Sequence, residues 1–513
     1  MNKKKLSFFN TNVLILLLSF VPLLIHLFTN AFAGYGYFRD ELYYLACSNR
    51  LDLGYVDHPP LSIYFLFLCK NIFGDSLFAI RLLPAISSAF IVYFTCKMVI
   101  KLGGKRFAII ISSVAVIFAP IYLAMFAYYS MNSFDILLWT IALYLIILIV
   151  IENKLSHWMI LGFVMGLGLL NKIGFLWLGF GFFAGLLLTD KRRDLLSPKP
   201  YLTALIALII FTPYIIWNFQ NNFAHIEFIN NATSGKYSQI GPGDFILGQF
   251  LIGNPWSAII WLIGLYYFLF NGNGKKFRLL AIIYLASFTI LLVNGHSKPE
   301  YLAPAYTMLF AGGGVFLEKL TTVKLRWLRY VIIIPLLISG IVFSPLAIPV
   351  LPVEQYINYA NSLGFGPSTS EDKELAELPQ FYADMFGWEE MAANVSTVYL
   401  SLPDEQKDKA FVFGRNYGEA SSIEFYKKKY PLPDAVSGHN TFWLWGPKNV
   451  SDPVIIITGG NKDNLLKLFD TVEEAMIHTA KYSMPYENNI PIYIARNPKK
   501  SLGNNWEEFK HYD

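Results

Sequence analysis

The sequence predicts a polytopic α-helical membrane protein with a small α/β domain outside the membrane. Of its 513 residues, 55% are hydrophobic and only 15% are charged, which is too apolar for a water-soluble protein of this length. Apolar stretches long enough to cross a bilayer, about eleven in number, follow one another over residues 1–350. Over residues 351–513 charge rises and such stretches stop. The fold class follows from these three observations.

The predicted spans are separated by short polar segments, and the fifth and sixth are short because Asn171 and Lys172 interrupt one apolar block. The run after Lys3–Lys5 has the charge pattern of a signal peptide, but no clear small-residue cleavage site follows it, so we assign it as a retained helix. The spans are expected at residues 12–33, 77–96, 107–126, 132–151, 157–171, 173–189, 201–219, 247–270, 278–294, 301–317 and 330–350.

Lysine and arginine concentrate in alternate connecting segments, as is typical of cytoplasmic loops. This alternation predicts a cytoplasmic N-terminus and places the first loop, residues 34–76, and the tail on the outer side. We therefore divide the chain into a transmembrane domain, residues 1–350, which includes the first loop, and an extracytoplasmic soluble domain, residues 351–513.

The tail mixes two hydrophobic periods, which predicts an α/β domain. We expect strands at residues 410–413, 454–458 and 490–495, and helices at 380–400 and 418–428. Trp443 and Trp445 could stack on a sugar, but a buried strand or a membrane-facing belt explains them as well. Gly418 could allow close approach to a ligand, although turns also explain isolated glycines.

The first loop carries four candidate polar residues: Asp40, Glu41, Asp57 and His58. The flanking apolar stretches are too short to span a bilayer, so we expect helices that lie in the interface plane. A carboxylate held there could act as a general base. Two alternatives need no catalysis: a solvated loop whose acids face water, or acids that interact with the positive end of a helix dipole.

Further polar residues lie at the outer ends of predicted spans. A buried charge such as that of Asp135 is costly within a membrane, which makes it a candidate functional residue. Together these side chains could supply a carboxylate base and cations that stabilise a departing phosphate. Capping explains Asp135 equally well, and snorkelling explains each lysine taken singly. The set is Asp135, Lys172, His296, Lys298, Glu300 and Tyr301.

Several function classes lack support. The three cysteines have no metal-binding spacing. Cys47 and Cys69 could pair if both lie outside the membrane, but we expect two buried thiols. The chain contains no phosphate-binding glycine loop, dinucleotide fingerprint, HExxH or paired CxxC motif, and nothing indicates nucleic-acid binding. No residue is assigned to a metal.

The loop sequence FRDELYYLACSNRLDLGYVDHPPL, followed by GDSLFAIRLLPA, resembles bacterial glycosyltransferase family 39-like proteins of the GT-C superfamily. That superfamily includes protein mannosyltransferases and lipid A aminoarabinose transferases. The resemblance continues through SMNSFDILLW, LGLLNKIGFLWL, HSKPEYLAPAY, NYGEASSIEFY and SGHNTFWLWGP. It therefore extends over nearly the whole chain.

This resemblance implies an inverting membrane glycosyltransferase that takes a sugar from a polyprenyl phosphate. In such proteins a carboxylate of the first external loop is the proposed base, which corresponds here to the pair Asp40 and Glu41, with Asp40 as the base. The acceptor would be a glycolipid, polysaccharide or protein on the periplasmic side of a bacterial inner membrane. No cofactor is certain, and a divalent metal stays open because members differ in this respect.

Two other functions remain alternatives. A transporter or lipid-linked-sugar flippase would use Asp135 and the interrupted fifth and sixth spans as a path. Such a protein should place polar groups near the midplane and have related halves, whereas these residues gather toward the outer side and no repeat is visible. A non-catalytic envelope assembly protein, whose outer domain binds partners, is the second alternative.

Overall fold

The computed structural model describes residues 3–513 except 370, 372 and 449, and it leaves the side chains of residues 3–10 and 323 undescribed. The side chains of Lys3–Lys5, used in the orientation argument, therefore lie outside the described part. Contacts divide the chain into two compact units. The helical unit comprises Met1–Ala33, Phe78–Ile216 and Gln239–Pro352, and the mixed unit comprises Gly34–Leu77, Trp217–Ser238 and Val353–Asp513.

A helix lies at every predicted span. Among the described residues, six helices are long and apolar enough to cross a membrane, or up to eight if each bent pair counts as one span. The fold class is thus confirmed, while the number of about eleven spans stays a prediction. The helices of this apolar region are Lys3–Phe32, Leu77–Ile80, Leu82–Lys101, Arg106–Ile117, Pro120–Met125, Met131–Glu152, Leu155–Asn171, Leu176–Leu187, Lys199–Gln220, Pro242–Ile252, Pro255–Phe270, Arg278–Asn294, Tyr306–Leu320 and Leu328–Ala347.

Two predicted spans are interrupted just before a proline. The segment predicted as 247–270 bends by 104° between Pro242–Ile252 and Pro255–Phe270. Pro255 cannot donate a backbone hydrogen bond and starts the second helix, whose Trp256 backbone N–H is capped by the Asn254 side chain at 3.1 Å. The segment predicted as 107–126 is also two helices, Arg106–Ile117 and Pro120–Met125, with Pro120 at the start of the second.

Small residues allow close helix packing in the helical unit. A Cβ atom on Gly264 would lie 2.0 Å from the main-chain oxygen of Leu309, so only glycine fits between Pro255–Phe270 and Tyr306–Leu320. Such close approaches are common where helices associate within a membrane, because packing rather than the hydrophobic effect holds them together.

The mixed unit contains a five-stranded sheet in the order β2-β1-β3-β5-β4. Its strands are β1 (Ala410–Gly414), β2 (Ala435–Val436), β3 (Val454–Thr458), β4 (Phe469–His478) and β5 (Ile490–Pro498). β1 pairs in parallel with β2 and β3, whereas β5 is antiparallel to β3 and β4. Three predicted strands are confirmed. β2 and β4 were missed, since β2 has two residues and β4 is a largely exposed edge strand.

Helices cover the rest of the mixed unit. The predicted helix 380–400 is two helices separated at Gly387, whose φ of 91° suits glycine. Trp443 and Trp445 lie in a short helix, not in a strand. The free thiols of Cys47 and Cys69 are buried, as predicted. The helices are Arg39–Ser48, Leu61–Phe73, Ala224–Asn231, Val353–Ser362, Gln380–Ala383, Trp388–Leu400, Asp404–Lys407, Tyr417–Tyr426, Thr441–Trp445 and Lys462–Leu468.

The first loop belongs to the same compact unit as the tail. The sequence-based division had placed residues 34–76 with the transmembrane domain. Helix Arg39–Ser48 packs directly against helix Tyr417–Tyr426 of the tail. Residues from both ends of the chain therefore build the surroundings of the candidate acids.

Candidate active site

The two adjacent acids of the first loop have different surroundings. Glu41 is fully buried, and its Oε2 accepts a hydrogen bond from the Phe38 backbone N–H at 2.9 Å. This contact caps the start of helix Arg39–Ser48. The Asp40 side chain keeps 37% of its exposure. Of the pair, Asp40 is the carboxylate that solvent or a substrate can reach.

Asp40 is held by a residue of the tail. The Tyr417 hydroxyl donates a hydrogen bond of 2.9 Å to Asp40 Oδ1. Arg39 Nε lies 3.8 Å from the same oxygen. Both contacts involve Oδ1, and no described residue donates a hydrogen bond to Oδ2, which is therefore available to accept a proton.

Arg39 anchors this part of the loop to the tail. Its guanidinium lies 3.7 Å from Asp384 and 4.0 Å from Glu371, and it donates a 2.8 Å hydrogen bond to the Tyr486 hydroxyl. Burial raises the pKa of Asp384 to about 6, an effect that the positive charge of Arg39 opposes. The loop is thus fixed by charged contacts that are largely shielded from water.

Lys236 adds a second cation to this cluster. Its neighbour Tyr237 forms an isolated antiparallel bridge with Glu371. Burial lowers the pKa of Lys236, while the charges of Glu371 and Asp40 act in the opposite direction. Lys236 therefore lies close enough to interact electrostatically with the candidate base.

The start of helix Tyr417–Tyr426 explains how Tyr417 is presented. The Asn416 side chain caps the helix by accepting from the Glu419 backbone N–H at 3.0 Å. Glu419, fully buried, accepts 2.7 Å hydrogen bonds from the Arg415 backbone and guanidinium. A Cβ atom on Gly418 would lie 2.7 Å from Arg39 Cγ. Gly418 therefore allows close approach of the two helices, not of a ligand.

Asp57 and His58 lie between helix Arg39–Ser48 and helix Leu61–Phe73. The Tyr43 hydroxyl lies 2.7 Å from Asp57 Oδ1 and 2.6 Å from the Thr441 hydroxyl of the tail. His58 is fully buried, with Nδ1 3.0 Å from the Pro59 carbonyl oxygen. Its Nε2 has no hydrogen-bond partner among the residues that the structure describes. Nδ1 therefore carries the proton in the neutral ring, and Nε2 is an acceptor.

Five of the remaining candidates, all except His296, form a cluster around Lys172 within the helical unit. Lys172 Nζ donates a 2.7 Å hydrogen bond to Asn132 and lies 4.8 Å from the centre of the Tyr301 ring. Its charge also interacts with Asp135 and Glu300. Asp135 is 5% exposed, and its Oδ1 has no hydrogen-bond partner in the described part of the chain. The structure thus brings together residues that lie far apart in the sequence.

The last four candidates, His296, Lys298, Glu300 and Tyr301, follow the end of helix Arg278–Asn294. Gly295 adopts a left-handed conformation after helix Arg278–Asn294 and turns the chain into the stretch with His296 and Lys298. Glu300 and Tyr301 lie in the next turn, Pro299–Ala305, which packs against helix Met131–Glu152. This packing explains how Tyr301 reaches Lys172.

Three tail residues could offer ligand atoms to a metal. One atom each from His439, His511 and Asp513 lies within 4.8 Å of the others. Both ring nitrogens of His439 already have partners, however: Nδ1 accepts from the Tyr417 backbone N–H at 3.4 Å, and Nε2 lies 2.9 Å from the Asp513 main-chain oxygen. Hydrogen bonding explains this cluster, so we assign no chemical step to a metal there.

Sequence reasoning did not single out Tyr417, Arg39, Asp384 or Lys236 as site residues. A local signal did exist for Tyr417, because Asn416 and Glu419 have the spacing of a helix start, which places Tyr417 in the first turn. The pairing of that helix with the first loop has no signal in a single sequence.

Comparisons with known proteins agree with this architecture. Residues 57–217 match the family described as dolichyl-phosphate-mannose-protein mannosyltransferase. A sequence comparison with curated proteins gives no match.

Among solved structures, ArnT from Cupriavidus metallidurans bound to undecaprenyl phosphate aligns with a TM-score of 0.60 and 13% identity, over 94% of this chain and 97% of ArnT. ArnT in the apo state aligns with a TM-score of 0.57 and 12% identity, over 96% of this chain and 98% of ArnT. The oligosaccharyltransferase AglB from Archaeoglobus fulgidus gives a TM-score of 0.48 at 12% identity, over 79% of this chain and 63% of AglB. The chain is therefore a multi-pass membrane protein with the fold of ArnT.

Proposed function

We propose that the chain is a membrane glycosyltransferase that moves a sugar from a polyprenyl-phosphate donor to a hydroxyl of an envelope acceptor. The observation that carries the proposal is the placement of Asp40: a partly exposed carboxylate, with one oxygen held by Tyr417 and the other available. The family match over residues 57–217 and the fold of ArnT, which binds undecaprenyl phosphate, support the nature of the donor.

In the proposed reaction Asp40 Oδ2 takes the proton of the acceptor hydroxyl. The hydroxyl oxygen attacks the anomeric carbon, the bond from that carbon to the phosphate oxygen breaks, and the polyprenyl phosphate leaves with the electron pair. A single displacement inverts the configuration at the anomeric carbon. General-base catalysis of this kind contributes about 10²- to 10⁴-fold in rate.

The other candidates receive roles by their charge and position. Lys172 and Lys298 would hold the donor phosphate, since cations stabilise the charge that develops on a leaving phosphate. Asp135, His296, Glu300 and Tyr301 would bind and orient the substrate around them. Glu41, Asp57 and His58 would shape the acceptor side. A divalent metal stays a proposal without assigned ligands.

We place the protein in a bacterial inner membrane, with its N-terminus in the cytoplasm and the tail in the periplasm. The alternation of basic loops supports this orientation. Reporter fusions at residue 190 and after residue 360 test it, and we expect a cytoplasmic signal at the first and a periplasmic signal at the second. Signals from the same side at both fusions would overturn the orientation.

The function is tested with purified protein in lipid nanodiscs. The donors are undecaprenyl phosphates linked to radiolabelled mannose, glucose or aminoarabinose, and the acceptors are cell-envelope fractions. We expect one donor to be consumed by the wild type, and Asp40→Asn at equal, folded yield to lose at least about 100-fold in rate. Full activity of Asp40→Asn would remove Asp40 as the base.

The same preparation separates transfer from transport. A flippase would move the labelled lipid across a vesicle bilayer without changing it. The bent helix pair Pro242–Ile252 and Pro255–Phe270 is a feature that transporters also use. Scrambling of intact donor with no transfer would favour the flippase.

A further inference from the structure

The tail supplies the contact that orients the candidate base. Asp40 and Tyr417 are 377 residues apart in the sequence, yet the Tyr417 hydroxyl lies 2.9 Å from Asp40 Oδ1. Tyr417 is only 6% exposed, so solvent water competes little with this hydrogen bond. A hydrogen bond to an ionised acceptor is among the stronger ones in proteins.

The Tyr417 side chain cannot easily move away from Asp40. Its ring packs between two others, with the centre of the Tyr43 ring at 4.7 Å and that of His439 at 4.8 Å. The guanidinium carbon of Arg39 lies 5.4 Å from the centre of the same ring. The hydroxyl is therefore presented from a rigid position.

The helix start below Tyr417 is equally well fixed. Glu419 ties the backbone and side chain of Arg415 together, and Arg415 donates a further 3.2 Å hydrogen bond to the Tyr486 carbonyl oxygen. The hydroxyl of Tyr486 in turn accepts from Arg39. A continuous set of hydrogen bonds thus joins the start of this helix to the residue beside Asp40.

We propose that Tyr417 is a positioning residue for Asp40, and that its hydroxyl occupies Oδ1 so that Oδ2 alone faces the acceptor. This inference rests on the proposed function, because it assigns Asp40 the role of base. It gives the tail a direct part in the reaction: the soluble domain completes the active site.

The effect on the reaction is tested with Tyr417→Phe, which removes the hydroxyl and keeps the ring. We expect kcat to fall about 10- to 100-fold, while KM for the donor changes less than about twofold. Tyr430→Phe is the matched control, since it removes a hydroxyl that donates to Glu389 at 3.0 Å. Its kcat should equal that of the wild type.

A second measurement separates positioning from a general loss of structure. A merely structural role of the Tyr417 ring would not depend on its hydroxyl. Incorporation of 3-fluorotyrosine at position 417, which keeps a hydroxyl, should restore most of the activity.

The fluorine label also tests the contact without any substrate. Its ¹⁹F resonance should shift in Asp40→Asn and stay unchanged in the exposed-site variant Asp408→Asn. An identical resonance in the wild type and Asp40→Asn, or wild-type kcat in Tyr417→Phe, would overturn the inference. A wild type that consumes no donor would instead contradict the proposed function. The ¹⁹F resonance would still show whether Tyr417 contacts Asp40.

Discussion

The two polar clusters differ in the charges that surround their central residue. In the mixed unit, the largely buried guanidinium of Arg39 lies beside the carboxylates of Asp384 and Glu371 and donates to the Tyr486 hydroxyl. In the helical unit, the charge of Lys172 acts on buried Asp135, whose Oδ1 has no hydrogen-bond partner among the described residues. Both clusters keep such atoms, since Arg39 Nε and Asp384 Oδ1 also lack a hydrogen-bond partner in the described part of the chain. The first cluster holds the loop beside Asp40 with several charges, whereas the second sets one buried acid, Asp135, beside Lys172.

The largest expected effect is a difference in rate between substitutions of the adjacent acids Asp40 and Glu41. We expect Asp40→Asn to lose at least about 100-fold in kcat, because an amide cannot take a proton as a base. Glu41→Gln should lose less than about tenfold, because the amide oxygen can still accept from the Phe38 backbone N–H. Donor consumption under saturating substrate measures both. Equal losses would mean that Glu41 takes part in the chemistry.

The next effect concerns the pH dependence of stability. Asp384 has a pKa of about 6 in the folded protein against an ordinary 3.8, so the fold favours its neutral form. Its contribution is therefore most favourable at low pH and is lost as pH rises through about 6, by about 3 kcal/mol. Thermal unfolding of the wild type and Asp384→Asn at pH 4.5 and 7.5 measures about 2 kcal/mol of this loss, because the carboxyl of the unfolded chain is already mostly ionised at pH 4.5.

The exposed-site variant Asp408→Asn corrects for the simple loss of one carboxylate. The gap in unfolding midpoint between the wild type and Asp384→Asn should change between the two pH values, in the direction that favours the wild type at pH 4.5. A constant gap would show that Asp384 is ionised at both pH values and would weaken the description of this cluster as shielded from water.

A smaller effect is expected where helix Arg39–Ser48 contacts helix Tyr417–Tyr426. Gly418→Ala should destabilise the protein by about 1–3 kcal/mol, because the new Cβ would lie 2.7 Å from Arg39 Cγ. Without that contact, alanine would stabilise a helix relative to glycine. The sign of the change in unfolding midpoint is therefore informative. Gly366→Ala is the control, since nothing lies within 4 Å of its added Cβ.

The smallest effect concerns Asp135, whose Oδ1 has no hydrogen-bond partner among the described residues. Asp135→Asn should reduce transfer about tenfold without lowering the unfolding midpoint, because it removes a buried charge that the protein does not fully satisfy. Nanodisc activity and thermal unfolding are measured on the same sample. A clear loss of stability would indicate that Asp135 supports the helix packing, and the contrast between the two clusters would disappear.

Much of the fold was predictable because hydrophobic period and length are local properties. The spans and the strands β1, β3 and β5 follow from them. The break before Pro255 also has a local cause, because Gly253-Asn254-Pro255 combines three residues that favour turns. β4 was not predicted because Asp470, Glu473 and Glu474 face solvent and interrupt its run of apolar residues.

The site was predictable only in part. The loop motif singled out Asp40 and Glu41, but burial distinguishes them, and burial depends on packing that a single sequence does not encode locally. The partners Tyr417 and Asp384 come from a different part of the chain. In the helical unit, Lys172 and Tyr301 were both predicted near the outer ends of membrane spans, which suggested that they lie close together. The structure places the Lys172 side chain against the Tyr301 ring.

The separation of 377 residues between Asp40 and Tyr417 also bears on biosynthesis. At about 5–20 residues per second, a ribosome needs roughly 20–75 s to reach Tyr417 after it has made Asp40. During that interval the loop lacks the contact with Tyr417. If Tyr417 positions Asp40 as proposed, a nascent chain already inserted in the membrane reaches its full rate only after the tail has been made.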